Sequence, residues 1–243
     1  MHSELSVKKY IGKHGFERFA PKAVLFDMDG VLYDSMPNHA VAWQNSMAKF
    51  GIRMTADDAY ATEGARGIDT IRQMVRMQWG RDISEQESQK MYDEKSRLFH
   101  LMPEAPMMPG AQELMSQIRD MGMTICVVTG SGQKPLIERL KRDYGAFIDE
   151  QHIVTAYDVS HGKPHPEPYL KGLEKCGSLN PWEAVVVENA PLGVEAAVTA
   201  RIFTICVNTG HLPVSLFEER HADLILDSMA QLSAEWPELW TNA

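Results

Sequence analysis

Two periodicities divide this chain. Short apolar runs rich in β-branched residues occupy 23–26, 124–128, 184–187, 203–207 and 224–226, with a weaker one at 153–156, and each reads as a buried strand. Between them, apolar positions three and four residues apart mark helices over 111–121, 133–144, 167–176 and 192–200. Strands alternating with helices of this length imply βαβ units, so the expected fold is α/β with a parallel sheet covered on both faces. Residues 35–103 break the alternation. That stretch is helical almost throughout, over 37–50, 55–62, 67–79 and 84–101, the last opening on the Ser84/Glu87 spacing of a capping box.

The expected organisation is therefore a core of residues 20–34 and 104–243, a helical insert over 35–103, and an N-terminal appendage over 1–19. In the appendage Leu5, Tyr10, Ile11, Phe16 and Phe19 suit a short helix on the surface, and near the C-terminus Trp236 and Trp240 suit a last helix packed on the sheet. The stretch 35–37 and the Pro103, Pro106, Pro109 series are the natural hinges.

Composition narrows the function. The chain has 243 residues, 44% of them hydrophobic, enough for a proper core. No apolar run is long enough to span a membrane, and the first twenty residues are polar with no secretory apolar segment, so a soluble cytoplasmic protein is expected. A net charge of −9 argues against nucleic acid or an anionic membrane as partner. Cys126, Cys176 and Cys206 form no close pairs, and Cys126 and Cys206 sit in apolar runs as small core residues.

The candidate chemistry lies at strand ends, where open α/β sheets bind ligands. After the first strand come Asp27 and Asp29, one residue apart and so on the same side of an extended chain, followed by Gly30. Two carboxylates so close repel unless a cation, a proton or donors offset them. After the second strand come Thr129-Gly130-Ser131-Gly132, a hydroxyl and small residues whose backbone N–H groups can approach an anion, with Gln133 just beyond. After 184–187 come Glu188 and Asn189, oxygen donors suited to magnesium. Lys163 stands in a loop stiffened by Pro164. Singly, these could be a helix cap, a solvated lysine and a strand-end charge. Together, each falls where a phosphate site on this architecture would need it.

The set Asp27-x-Asp29-Gly-Val, Thr129-Gly-Ser, Lys163-Pro and Glu188-Asn189 resembles the four motifs of the haloacid dehalogenase superfamily over about residues 20–230, and the flanking residues resemble its β-phosphoglucomutase-like branch. The resemblance implies a Rossmann-like, doubly wound parallel core with an inserted α-helical cap. It implies Asp27 as nucleophile forming an aspartyl phosphate, Asp29 as general acid and base with its pKa raised by its neighbour, and Thr129 and Lys163 holding charge. Mg²⁺ would be bound by Asp27, Asp29, Glu188 and Asn189. A small phosphorylated substrate would touch Gly130, Ser131, Gln133, His39, Trp43, Arg66 and Lys95.

The sequence departs from the branch in three places. Asn189 replaces an acidic metal ligand, Glu63 stands where mutases of the branch carry a lysine, and the arginine that grips a distal phosphate falls on Gly67, with Arg66 displaced by one. Two readings stay open. Either Glu63 is a solvated helix-end carboxylate and Arg66 swings round to grip the substrate, or Glu63 reaches the metal on closure and favours inorganic pyrophosphate over a hexose phosphate. The second combination resembles a pyrophosphate-hydrolysing offshoot of the branch. A β-phosphoglucomutase is the alternative. Carbon–halogen cleavage is disfavoured by the second aspartate, and phosphonate cleavage would need Lys95 as a Schiff base. Oligomeric state is not readable.

Overall fold

The computed structural model describes residues 2–210 and 212–239. In chain order its elements are α1 (His2–His14), β1 (Ala23–Phe26), α2 (Met36–Lys49), α3 (Ala56–Ala61), α4 (Gly67–Trp79), α5 (Glu85–His100), α6 (Ala111–Asp120), β2 (Thr124–Val128) and α7 (Lys134–Tyr144). There follow β3 (Ile153–Val154), α8 (Glu167–Lys175), β4 (Ala184–Glu188), α9 (Pro191–Thr199), β5 (Phe203–Val207), α10 (Ser215–Glu218), β6 (Leu224–Leu226) and α11 (Met229–Leu239).

The six strands form one parallel sheet in the order β3-β2-β1-β4-β5-β6. The chain winds outward from β1 through β2 to β3, then returns to the other side of β1 as β4. That reversal leaves a crevice beyond the carboxyl ends of β1 and β4, the place where such sheets bind ligands. The period of two along β1 assigns its faces: Val24 and Phe26 join the cluster under α1, α6, α7 and α11, while Ala23 and Leu25 join the one under α8 and α9. All four side chains are fully buried, as the unbroken apolar run requires.

α2 to α5 pack on one another around their own core, in which Trp43, Met47, Ile71, Met74 and Met91 take part. Thr55 and Ser84 each close a capping box at the start of α3 and α5, each contributing about 1 kcal/mol to its helix. The two connections between this bundle and the sheet run side by side. Asp34 donates its backbone N–H to the carbonyl of Pro106 at 3.0 Å, and Asn38 Nδ2 donates to that of Pro103 at 2.9 Å.

The structure differs from the expectations in detail. β3 is only two residues, because its partner β2 bonds it over Val127 and Val128 alone. α10 is a short helix that the periodicity did not announce. The N-terminal segment is more than a surface appendage: Tyr10 is fully buried against Phe19 and Phe203, and its hydroxyl donates to the carbonyl of Arg201 at 2.8 Å. Trp236 is buried as expected, whereas Trp240 lies outside the described residues. No helix among the described residues is long and apolar enough to cross a membrane.

Candidate active site

Asp27 continues β1, its backbone N–H still donating to Val187 of β4 at 3.0 Å, so the strand itself aims the carboxylate into the crevice. Lys163 Nζ reaches Asp27 Oδ1 at 2.5 Å, Glu188 Oε1 at 2.6 Å and the carbonyl of Val128 at 3.1 Å. Lysine and carboxylates are all buried. Burial works against the lysine's charge, but the two flanking carboxylates hold its pKa above the ordinary value. Asp27 is pushed up to about 8, first by burial and then by Glu188 and Asp29, with Lys163 opposing.

Glu188, an expected metal ligand, has both carboxylate oxygens engaged by donors. Its Oε1 also accepts from the Tyr169 hydroxyl at 2.6 Å, and its Oε2 accepts from the backbone N–H groups of Asn189 at 3.0 Å and Ala190 at 3.1 Å. Both oxygens are engaged in anchoring Lys163 and the loop after β4. Gly193 in α9 leaves the room: a Cβ there would fall on the Glu188 carboxylate.

Asp29 points to the helical bundle. Its Oδ1 accepts from Ser35 Oγ at 2.6 Å and pairs with His39 Nε2 at 3.1 Å, and His39 Nδ1 lies 2.7 Å from Lys95 Nζ. An ammonium can only donate, so His39 accepts at Nδ1 and donates from Nε2 to Asp29. Lys95 lies over the rings of Trp43 and Phe99 at 5.1 and 4.9 Å, and burial lowers its pKa to about 8. Burial would raise Asp29, but His39, Ser35 and Lys95 together bring it down to about 2. This reverses the expectation of a raised Asp29: the donors from α2 and α5 outweigh repulsion from Asp27.

The loop between α3 and α4 lies over the ends of the strands. A Cβ at Gly130 would strike the carbonyls of Gly64 and Ala65, so the absence of a side chain at 130 lets the two loops close on each other. Glu63 is thereby buried in the site, Oε1 accepting from Asn189 Nδ2 at 2.7 Å. Gly30, at φ +78°, sits beneath this pair, where any Cβ would collide with the Asn189 amide. Glu63 Oε2 and Asn189 Oδ1 are buried with no hydrogen-bond partner, an arrangement that costs about 1–3 kcal/mol for each neutral group and more for a charged one. Burial pushes the Glu63 pKa well up, Asn189 opposing it and Asp27, Glu188 and Asp29 adding to it.

These orphaned oxygens test whether a cation fits. Four carboxylates (Asp27, Asp29, Glu63 and Glu188) face two lysines (Lys163 and Lys95); fully ionised, that leaves two excess negative charges, the charge of one divalent ion. Oxygen donors without partners are what a hard divalent cation takes. The residues fit such an ion.

A cavity of about 60 Å³ opens beside Asp27, lined among others by Asp29, Glu63, Thr129, Gly130, Ser131 and Gln133, with His39, Trp43 and Lys95 on the bundle side. Thr129 Oγ1 accepts from the Ser131 N–H at 3.0 Å, which folds the loop around the hydroxyl. Arg66 is the exception among the expected contacts. It bonds Asp69 Oδ2 at 2.7 Å and the Ser160 carbonyl at 2.7 Å, and it is not among the cavity-lining residues. The expected distal grip is thus spent on a latch between α4 and the loop that carries Lys163.

Sequence reasoning missed Tyr92. Its ring lies against Gly67, where a Cβ would fall inside the ring, and its hydroxyl accepts from Gln133 Nε2 at 3.1 Å, closing the cavity between bundle and sheet. The available signal was its place three residues before Lys95 on α5, hence on the same helix face. Ser35 and Tyr169 were missed as well, one partnering Asp29 and the other Glu188.

The haloacid dehalogenase-like hydrolase family model matches residues 21–201. Hexitol phosphatase A of Escherichia coli is 31% identical over 212 residues, covering 87% of this chain and 93% of that protein. Beta-phosphoglucomutase of Bacillus subtilis is 25% identical, covering 88% and 95%. A solved structure from Bacteroides vulgatus, described provisionally as a beta-phosphoglucomutase, superposes with a TM-score of 0.94 at 44% identity, over 98% of this chain and 96% of that one. A match over most of the chain, on a sheet whose switch point gathers the motif residues, places this protein in the haloacid dehalogenase-like hydrolase family, as an enzyme of that family.

Proposed function

We propose that this enzyme is a Mg²⁺-dependent phosphohydrolase acting on a compact phosphate substrate, inorganic pyrophosphate first among them. The observation that carries the reading is Glu63: a carboxylate buried in the site, 2.7 Å from Asn189, with one oxygen unpaired. A carboxylate facing an anionic substrate repels it unless a cation lies between them. A substrate that itself chelates Mg²⁺ meets that condition. The cavity agrees, since about 60 Å³ is room for roughly four to six water molecules at the 10–15 Å³ each requires.

The bundle α2–α5 acts as a cap over the sheet, with its hinges at the paired connections around Asp34 and Pro103. Asp27 attacks the phosphorus in line, its carboxylate oxygen forming an aspartyl phosphate as the bond to the leaving oxygen breaks. Lys163 holds the nucleophile in position, and with Thr129 and the backbone of Gly130 and Ser131 it stabilises charge on the transferring group. Glu188 and Tyr169 in turn hold Lys163. Mg²⁺ held by Asp27, Asp29, Glu63 and Asn189 would supply charge neutralisation at the phosphoryl oxygens.

Asp29 then takes a proton from the water that hydrolyses the phosphoenzyme. Its low pKa keeps it ionised and so free to accept that proton, as a weak base, and leaves it poorly suited to protonating a strongly basic alkoxide. Phosphate departs as a far weaker base than a sugar alkoxide, so an ionised Asp29 also favours pyrophosphate.

The second reading, a β-phosphoglucomutase, draws on the Bacillus subtilis relative and the Bacteroides vulgatus structure. It requires a grip on a distal phosphate. Arg66 is engaged with Asp69 and Ser160, and Tyr92 fills the space at Gly67. Phosphonate cleavage is weaker still, because Lys95 is engaged with His39.

Phosphate release in the presence of Mg²⁺, across pyrophosphate, hexitol phosphates, glycerol phosphate and β-glucose 1-phosphate, decides between these readings. We expect kcat/KM for pyrophosphate to exceed the others at least tenfold. Conversion of β-glucose 1-phosphate to glucose 6-phosphate faster than phosphate release from any compound would overturn the reading.

A further inference from the structure

The loop carrying Lys163 has a second chemistry on its outer side. A turn in which the backbone N–H of His165 donates to the Gly162 carbonyl at 3.0 Å sends Lys163 inward and brings the rings of His161 and His165 together outside, their centroids 4.7 Å apart. Glu167, the first residue of α8, stands beside them. Its Oε2 is 2.9 Å from His161 Nδ1 and 3.9 Å from His165 Nδ1. One ligand atom from each of the three residues falls within 4.8 Å of the others.

The carboxylate is built in place. Glu167 Oε1 accepts from the Ser160 N–H at 2.7 Å and Oε2 from the His161 N–H at 2.9 Å. Those backbone donors, with the His161 side chain, lower its pKa to about 2, so it is ionised across the physiological range. The Glu167 N–H donates to His165 Nδ1 at 3.2 Å, which orients the second ring. Both histidines are exposed and Glu167 is half-buried, so three positioned ligands face solvent that can complete a coordination shell.

We propose that His161, His165 and Glu167 form a binding site for a borderline transition-metal dication such as Zn²⁺ or Ni²⁺, separate from the catalytic centre. Two imidazole nitrogens and one carboxylate oxygen select such ions over Mg²⁺ or Ca²⁺, which prefer oxygen throughout. The set at Asp27, Glu63 and Asn189 offers oxygen alone, so the two sites differ in the ion they take. The bound ion takes the place of the proton between His161 Nδ1 and Glu167 Oε2; in the neutral ring that proton moves to Nε2, so His161 ligates as a neutral imidazole. It also ties together the two ends of the loop that holds Lys163 and, through the Ser160 carbonyl, receives Arg66.

The test is a calorimetric titration of the full chain with ZnCl₂ in excess Mg²⁺, which occupies the oxygen-donor centre, compared with the His161→Gln/His165→Gln variant. Imidazole proton–nitrogen correlation spectra follow the individual histidines in the unmodified protein. We expect the unmodified chain to bind one Zn²⁺ more than the variant, and the resonances of His161 and His165 to move while that of buried His39 stays. Zn²⁺ should also raise the melting temperature of the unmodified chain and leave that of the variant unchanged, because an ion that binds only the folded state stabilises it. Equal zinc stoichiometry and affinity in the two proteins, or unmoved His161 and His165 resonances at saturating Zn²⁺, would overturn the site. The spectra settle the matter even if the variant folds poorly, since they need no substitution.

Discussion

Glu63, from the loop between α3 and α4, accepts a hydrogen bond at 2.7 Å from Asn189, which follows β4 on the far side of the crevice. The pair spans bundle and sheet and leaves one oxygen of each residue without a partner. In the proposed site Asn189 stands where the resemblance implies an acidic metal ligand, and an ionised Glu63 would return that charge from the other side. The first prediction follows from that exchange. Glu63→Gln should weaken Mg²⁺-dependent pyrophosphate turnover at least tenfold while sparing residual sugar-phosphate hydrolysis. Mg²⁺ titrations of phosphate release check it; an unchanged Mg²⁺ dependence would separate Glu63 from the metal.

The same substitution carries a stability prediction of opposite sign. Because burial and neighbouring carboxylates raise the folded-state pKa of Glu63, the folded state holds its proton more tightly than the unfolded chain. Its contribution to stability is therefore largest at low pH and declines as pH rises above the ordinary carboxylate range. In chelator at pH 7 to 8, Glu63→Gln should raise the melting temperature, by about 2–4 °C for each kcal/mol relieved in a chain of this size. The gain should vanish near pH 4. Calorimetric scans at both pH values decide it.

Asp27→Asn keeps the shape of the side chain and removes the proposed nucleophile. Turnover should fall by more than about 10³-fold, in line with losses on removing a covalent nucleophile. The fold should persist, and circular dichroism and the melting curve report on that. A variant retaining a tenth of the phosphate release would refute the covalent route.

Tyr92→Ala should open the cavity above Gly67 and break the bond to Gln133. The expected outcome is a higher kcat/KM for hexose and hexitol phosphates together with a loss for pyrophosphate, so the ratio shifts toward the larger substrates. Parallel losses on every substrate would show that Tyr92 only supports packing.

Far from the site, Asp223 is pushed up to about 6, chiefly by burial, with the Thr204 N–H and Lys13 opposing. A raised carboxylate pKa means stability present at low pH and lost as pH climbs through about 6. Asp223→Asn should therefore be more stable than the parent above pH 6, on the order of 1 kcal/mol, and equal to it near pH 4. Denaturant melts across that window measure the crossing.

The local pattern was sufficient for the fold class, because a strand buried on both faces must be continuously apolar and a covering helix must repeat every three or four residues. Hence β1, β2, β4 and β5 and the helices between them were legible, as was the helical insert. Asp27, Asp29 and Thr129 were also legible as strand-end residues, since strand ends are where such a sheet presents chemistry, and the structure brings Lys163 from its loop to Asp27. What the sequence could not decide was direction. Glu63 and Arg66 lie three residues apart in one loop, yet one is buried against Asn189 and the other turns outward to Ser160. Nothing in their local pattern distinguishes them. The ionisation of Asp29 likewise depends on Ser35, His39 and Lys95, the last arriving from α5 through the packing of the bundle. Electrostatics at buried groups is set by neighbours distant in sequence, and tertiary packing alone brings those neighbours within a few ångströms.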